Sequence, residues 1–160
     1  MNLKIESKIL AQTKDNFLEI VKYVIIFTFI TTIGSWIILN ISNNFDLKIF
    51  HKSHAKQLDY KSWVDLFKIF FIAPFFETLL IVLFFKIFVT RLKILNFVLI
   101  SILMGLLHEY YRQGAFFALI WVFYVMSYGF YFMLKFGKKI AFFSIVIIHS
   151  AYNFNVLFFF

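Results

Sequence analysis

Long uninterrupted apolar runs dominate this chain and leave it few ways to fold. A transmembrane helix needs about 20 apolar residues at a rise of about 1.5 Å each. Five stretches meet or approach that: about Phe17 to Leu39, Trp63 to Val89, Ile94 to Tyr110, Ala115 to Leu134 and Ile140 to Phe160. Of the 160 residues 62% are hydrophobic, with 26 Phe against 5 Gly and 1 Pro. Soluble domains have about 45–50% apolar residues, and a small body has too much surface for its volume to hide such an excess. Lipid must cover it. The expected fold is an all-α polytopic membrane bundle of about five helices, forming one integral domain over residues 1–160.

The polar segment 1–16 is expected at the membrane surface. Residues 17–39 read as a retained signal-anchor helix, because the run is longer than a signal-peptide core and no small-x-small cleavage pattern follows it. The only sizeable loop runs from Asn43 to Ser62. The other connections are short, which makes neighbouring spans antiparallel and packed together. With alternating spans, Lys4, Lys8, Lys14, Arg91, Lys93, Lys135, Lys138 and Lys139 fall on the amino-terminal side, and Lys48, Lys52, Lys56, Lys61 and Arg112 on the other. Eight against five favours a cytoplasmic amino terminus. The net charge of +8 lies between apolar runs, where it orients the chain. No basic domain outside lipid is left to bind nucleic acid. Cys is absent, which excludes disulfides, thiolate metal sites and a cysteine nucleophile.

Against this apolar background a few polar residues stand out. An ionised carboxylate at the centre of a membrane helix costs about 2.5–3.5 kcal/mol on insertion scales, so an intramembrane ionisable group is a functional candidate by default. Glu77 lies near the middle of the second run, in Ala73-Pro74-Phe75-Phe76-Glu77-Thr78. Its plain alternative is a protonated carboxyl bonded between helices. His108 ends the third run, where an interfacial role competes with a catalytic one. His149 and Asn153 lie inside the fifth run. Four residues apart, they share one helix face at about 6 Å, and both need partners in lipid. A carboxylate and an imidazole can activate water, while a second imidazole and an amide can donate to a developing oxyanion. These groups suit peptide hydrolysis without a covalent intermediate.

The order and spacing of these residues resemble the CAAX-protease and bacteriocin-processing family of glutamic-type intramembrane proteases, which includes type II CAAX prenyl endopeptidases and bacterial immunity proteins. The family's first motif, EExxxR after Ala-Pro, is met by Ala73-Pro74 and Glu77, with Thr78 at the second Glu and Val82 at the Arg. Met104-Gly105-Leu106-Leu107-His108 stands at FxxxH, with Met for Phe. His149-Ser150-Ala151-Tyr152-Asn153 matches HxxxN. Gly129-Phe130-Tyr131 and Gly137 are similar to the family's glycine-aromatic helix and the turn after it. The resemblance covers about Phe71 to Phe160, within an expected core of about 63–160. It implies an endopeptidase of the bacterial inner membrane, acting on a membrane-associated protein or peptide. Glu77, His108, His149 and Asn153 would be its catalytic set, with no cofactor. Zinc held by Glu77, His108 and His149 is the alternative by ligand type.

Other polar residues have plainer readings. Glu109 sits about 100° round the helix from His108 and could pair with Arg112. His51 and His54 form HxxH in the long loop, without a carboxylate or Cys at metal-ligand spacing. Two other functions fit the same residues: a non-catalytic immunity or scaffold protein of that family, and a small proton-coupled transporter. The transporter reading lacks internal repeats and paired broken helices.

Overall fold

The computed structural model describes residues 3–44, 62–88, 93–109 and 116–159. The described residues form an all-α bundle without strands: α1 (Leu3–Asn44), α2 (Trp63–Phe67), a π-helical turn (Lys68–Ile72), α3 (Ala73–Ile87), α4 (Lys93–Glu109), α5 (Phe116–Met133), a 3₁₀ turn (Leu134–Phe136) and α6 (Lys138–Phe159). Most of the expected Asn43–Ser62 loop, with His51 and His54, lies outside the described residues. So do Arg91 and Arg112, and with the latter the Glu109 pairing.

Two boundaries differ from expectation. The first helix does not begin at Phe17. It is continuous from Leu3, because no Gly or Pro precedes Gly34 and the early residues include good helix formers such as Leu, Lys, Glu and Ala. The second run is not one regular helix. It starts at a Ser62 N-cap, whose Oγ accepts from the Asp65 N–H at 3.3 Å. It then passes through the π turn before Pro74.

Four helical segments are long and apolar enough to cross a membrane: Asp15–Ser42, Trp63–Ile87, Phe116–Phe136 and Lys138–Phe158. The apolar helix α4, at 17 residues, is shorter, but it runs antiparallel along α5. Lys93 donates to the Tyr131 hydroxyl at one end. Near the other, Gly105 lies under Phe116 and Ile120. At about 25 Å, α4 therefore covers nearly the same depth as its neighbour. With α4 as a fifth crossing, the two ends are expected on opposite sides. Reporter fusions after Lys14 and Lys138 should read the same compartment, and a fusion after Phe160 the other. Matching signals from Lys14 and Phe160 would contradict this.

Helix α5 sits at the centre, with 56% of its apolar window buried, against 17% for α1 and for the α2–α3 segment. Around it Ile81, Ile100, Met104, Val122, Met126, Met133, Ile145 and Ile148 are fully enclosed. The outward faces carry exposed Ile25, Phe29, Phe71, Leu83 and Ile147. One rim of the bundle is marked by Lys135. It pairs with Glu19 at 2.8 Å and lies over the rings of Tyr23, Phe132 and Phe136 at 4.6, 4.4 and 4.7 Å. A cation set among rings and a carboxylate suits the water–lipid boundary. The turn from α5 to α6 closes at Gly137, whose φ of 108° disfavours any side chain.

Helix α1 docks on α5 through a missing side chain. A Cβ built on Gly34 would lie 2.0 Å from the Trp121 indole nitrogen, which donates to the Ile30 carbonyl at 3.3 Å. Small residues allow such close approach where the hydrophobic effect cannot drive helices together. Gly34→Leu should therefore lift α1 off α5, at a cost of about 1–3 kcal/mol. Thermal unfolding in detergent checks this, and Trp121→Ala in the same chain should recover part of the loss by vacating the space.

Candidate functional site

Glu77, His108 and His149 come from three different helices and meet. Glu77 is on α3, 14 residues beyond Trp63 and 10 before Ile87, so it lies near mid-span. Its Oε1 is 3.1 Å from Nε2 of His108, and its Oε2 is 3.1 Å from Nε2 of His149. The second contact is one of charge and distance rather than a well-aligned hydrogen bond. His149 is almost wholly buried, and His108 keeps 23% of its side chain exposed.

The protons of this cluster can be counted. His108 Nδ1 lies 3.0 Å from the Met104 carbonyl oxygen. A carbonyl only accepts, so Nδ1 carries a hydrogen. One further proton must then lie between His108 Nε2 and Glu77 Oε1. His149 Nδ1 is buried without a hydrogen-bond partner among the described residues. The least costly state for that ring is neutral, with its hydrogen on Nε2 facing the carboxyl group. Wherever the shared proton sits, the three side chains sum to zero charge. A net-neutral cluster is far cheaper at mid-membrane than a lone carboxylate.

Phe123 of α5 orients both imidazoles. Its fully buried ring is 4.8 Å from the His108 ring centre and 5.9 Å from that of His149, nearly edge-on to the latter. Nothing in the sequence distinguishes it from the other phenylalanines. Its role emerges only from the packing of α4, α5 and α6.

Asn153 lies one turn beyond His149 on α6 and reaches a different partner. Its Nδ2 donates to the Ile69 carbonyl at 2.9 Å. Ser150 shares its hydroxyl hydrogen between the Phe70 carbonyl at 2.5 Å and the Val146 carbonyl at 2.8 Å. Both bonds exist because of Pro74. The Ala73 N–H bonds the Lys68 carbonyl five residues back, and Pro74 has no N–H. Neither residue that could normally donate to Ile69 O therefore does so. The carbonyls of 69 and 70 turn instead to α6. π turns of this kind occur frequently at functional sites, and freed backbone groups inside a membrane must find partners. This turn was not foreseen in the sequence, although the signal was there: a proline within an apolar run, and two short polar side chains three residues apart on another helix.

These groups line a cavity of about 170 Å³, room for several waters. Its polar wall is Glu77, His108, His149 and Asn153, and its apolar wall includes Leu119, Val122, Phe123, Val156 and Leu157. Leu119 is three residues into α5 and Leu157 two from the end of α6. The cavity thus runs from mid-span toward the rim opposite Lys135.

Thr78, at the second position of the acidic motif, is fully buried, and its hydroxyl has no hydrogen-bond partner among the described residues. Val82 packs against the core. Because the Thr78 hydroxyl gains nothing from its burial, Thr78→Val should be neutral or slightly stabilising, with unchanged melting temperature and yield as the check.

Comparison with family models, with curated proteins and with solved structures finds no match.

Proposed function

We propose that the chain is an intramembrane endopeptidase of the glutamic type, in which the Glu77–His108 pair activates water against a peptide bond. The observation that carries this is the meeting of Glu77 with two imidazoles from separate helices at 3.1 Å each, on the wall of a cavity. The single proton shared by Glu77 and His108 leaves one basic site in that pair to take a proton from water. His149 and the second amide hydrogen of Asn153 lie on the same wall to donate to an oxyanion. The apolar wall suits the side chains of a membrane-associated protein or peptide. By the lysine balance, the cavity runs toward the external face of a bacterial inner membrane. The order of motifs supports membership of the CAAX-protease and bacteriocin-processing family.

A non-catalytic immunity or scaffold role is the second reading, favoured by Thr78 and Val82 at the positions of the family's second Glu and Arg. Zinc would suit the donor types of Glu77, His108 and His149, and the metal-dependence of cleavage separates it from a glutamate-activated water.

The test is turnover of quenched-fluorescent apolar peptides by purified protein in detergent. Metal-independent cleavage supports the proposal. About one zinc per chain, lost together with activity on chelation, overturns the glutamate-activated water. Absence of cleavage with correctly folded protein favours the immunity or scaffold reading.

A further inference from the structure

The π turn at Lys68–Ile72 does more than accommodate a proline. Ile69 lines the same cavity as Glu77 and Asn153. Its carbonyl has no donor from Ala73, which bonds Lys68 O, and none from Pro74, which has no N–H. A carbonyl oxygen has two lone pairs, and the Asn153 amide at 2.9 Å takes one. A peptide chain must be unwound before its bonds can be attacked, and an unwound segment in a water-poor site brings backbone N–H groups that need acceptors. Along an intact helix each carbonyl is already used by an N–H four residues on and points along the axis, so it offers at most its second lone pair, as the Ile30 and Val146 carbonyls do. Among the described residues, the turn before Pro74 frees a carbonyl from that intrahelical bond on a residue that lines the cavity.

We propose that the Ile69 carbonyl is a substrate-binding edge: it accepts a backbone N–H from an extended, apolar peptide segment lying across the cavity next to the bond facing Glu77. This rests on the peptide-hydrolysis reading and adds the form of substrate that the site takes. The Asn153 amide on the other lone pair keeps the carbonyl turned toward the cavity. Pro74 acts at a distance by leaving one lone pair of Ile69 O open, which makes it a positioning residue. A segment with proline at the paired position is refused, since it has no N–H to offer.

The edge is tested with a set of apolar fluorescent decapeptides in which each backbone N–H in turn is replaced by an ester oxygen. The readouts are kcat/KM with the otherwise unaltered protein and Kd, by fluorescence anisotropy, with the Glu77→Gln protein. One ester position should weaken kcat/KM and Kd about tenfold, the effect of one backbone hydrogen bond. In Pro74→Ala the penalty at that position should fall below about twofold. There the residue at 74 donates across the turn, or the turn relaxes and Ala73 donates, so Ile69 O is filled either way. Pro74→Ala is a helix-favouring change, so loss of folding is not expected to obscure the comparison. Peptides that bind with this ester pattern but are never cleaved would sustain the edge and overturn hydrolysis. Equal ester effects in both backgrounds, or no binding to the Glu77→Gln protein, would overturn the edge.

Discussion

Replacing Glu77 by Gln should reduce peptide turnover to background, a loss of about 10⁴-fold or more, while leaving insertion, yield and melting temperature close to those of the parent. The separation follows from the hydrogen-bonding types at the site. Glu77 stands between two imidazole Nε2 atoms, each 3.1 Å away. A glutamine can serve both rings when they are neutral. Its NH₂ donates to the Nε2 of His108, whose hydrogen is held on Nδ1 by Met104 O, and its carbonyl oxygen accepts from His149. The shared proton is then no longer needed, and neither is any charge. An amide has no usable basicity, so water activation by residue 77 is lost. Glu77→Leu gives the contrast. It removes the base and also strands two imidazole nitrogens, at about 1–3 kcal/mol for each unsatisfied group, so both turnover and melting temperature should fall. The measurement is cleavage rate and thermal unfolding for both variants at matched protein levels. A Glu77→Gln protein that cleaves as fast as the parent would leave the cavity without its proposed base, and the immunity or scaffold reading would replace the enzyme.

The sequence was most informative where a single physical rule dominated. Lipid thickness and apolar run length gave the helices and their order, since nothing else can hide so many Phe, Ile and Leu side chains. The cost of burying polar groups in lipid singled out Glu77, His149 and Asn153 before any geometry was available. What the sequence concealed depends on how helices meet. His108 reads equally as an interfacial residue at the end of a run, and only the packing of α4 against α5 beside α3 turns it onto Glu77. Phe123 could not be told from its neighbours because the α5 run is apolar almost throughout and carries phenylalanine at five positions. The extension of α1 back to Leu3 follows from another rule. A polar stretch with no helix breaker continues a helix whether or not lipid surrounds it, so hydropathy marks where the membrane begins rather than where the helix does.

The largest surprise concerns Asn153, and it sharpens the second strong prediction. From its spacing to His149 it was expected to donate to an oxyanion. The structure shows one amide hydrogen on the Ile69 carbonyl, with the second uncommitted among the described residues, and an NH₂ group can serve two acceptors. Two residues further along α6, Asn155 presents the same amide to another partner: its Nδ2 donates to Thr32 Oγ1 on α1 at 3.1 Å, away from the cavity. The pair is a controlled comparison of one residue type, on one helix, at similar depth. Asn153→Ala should lower turnover by about 10²–10³, the loss of one oxyanion donor, without reaching background, because Glu77 and both imidazoles remain. Asn155→Ala removes one α1–α6 hydrogen bond, an effect of about 0.6 kcal/mol between membrane helices. It should shift the melting temperature slightly and leave turnover within about threefold of the parent, which is that energy expressed as a rate. Asn153→Asp separates the two duties of the amide. It places a carboxylate against the Ile69 carbonyl, where two acceptors repel, so it should lose turnover as fully as Asn153→Ala and melt at a lower temperature. Rates and melting curves for the three variants in the same detergent decide the matter. Equal losses of activity for Asn153→Ala and Asn155→Ala would mean that the α6 amides act through helix packing, and would remove Asn153 from the catalytic set.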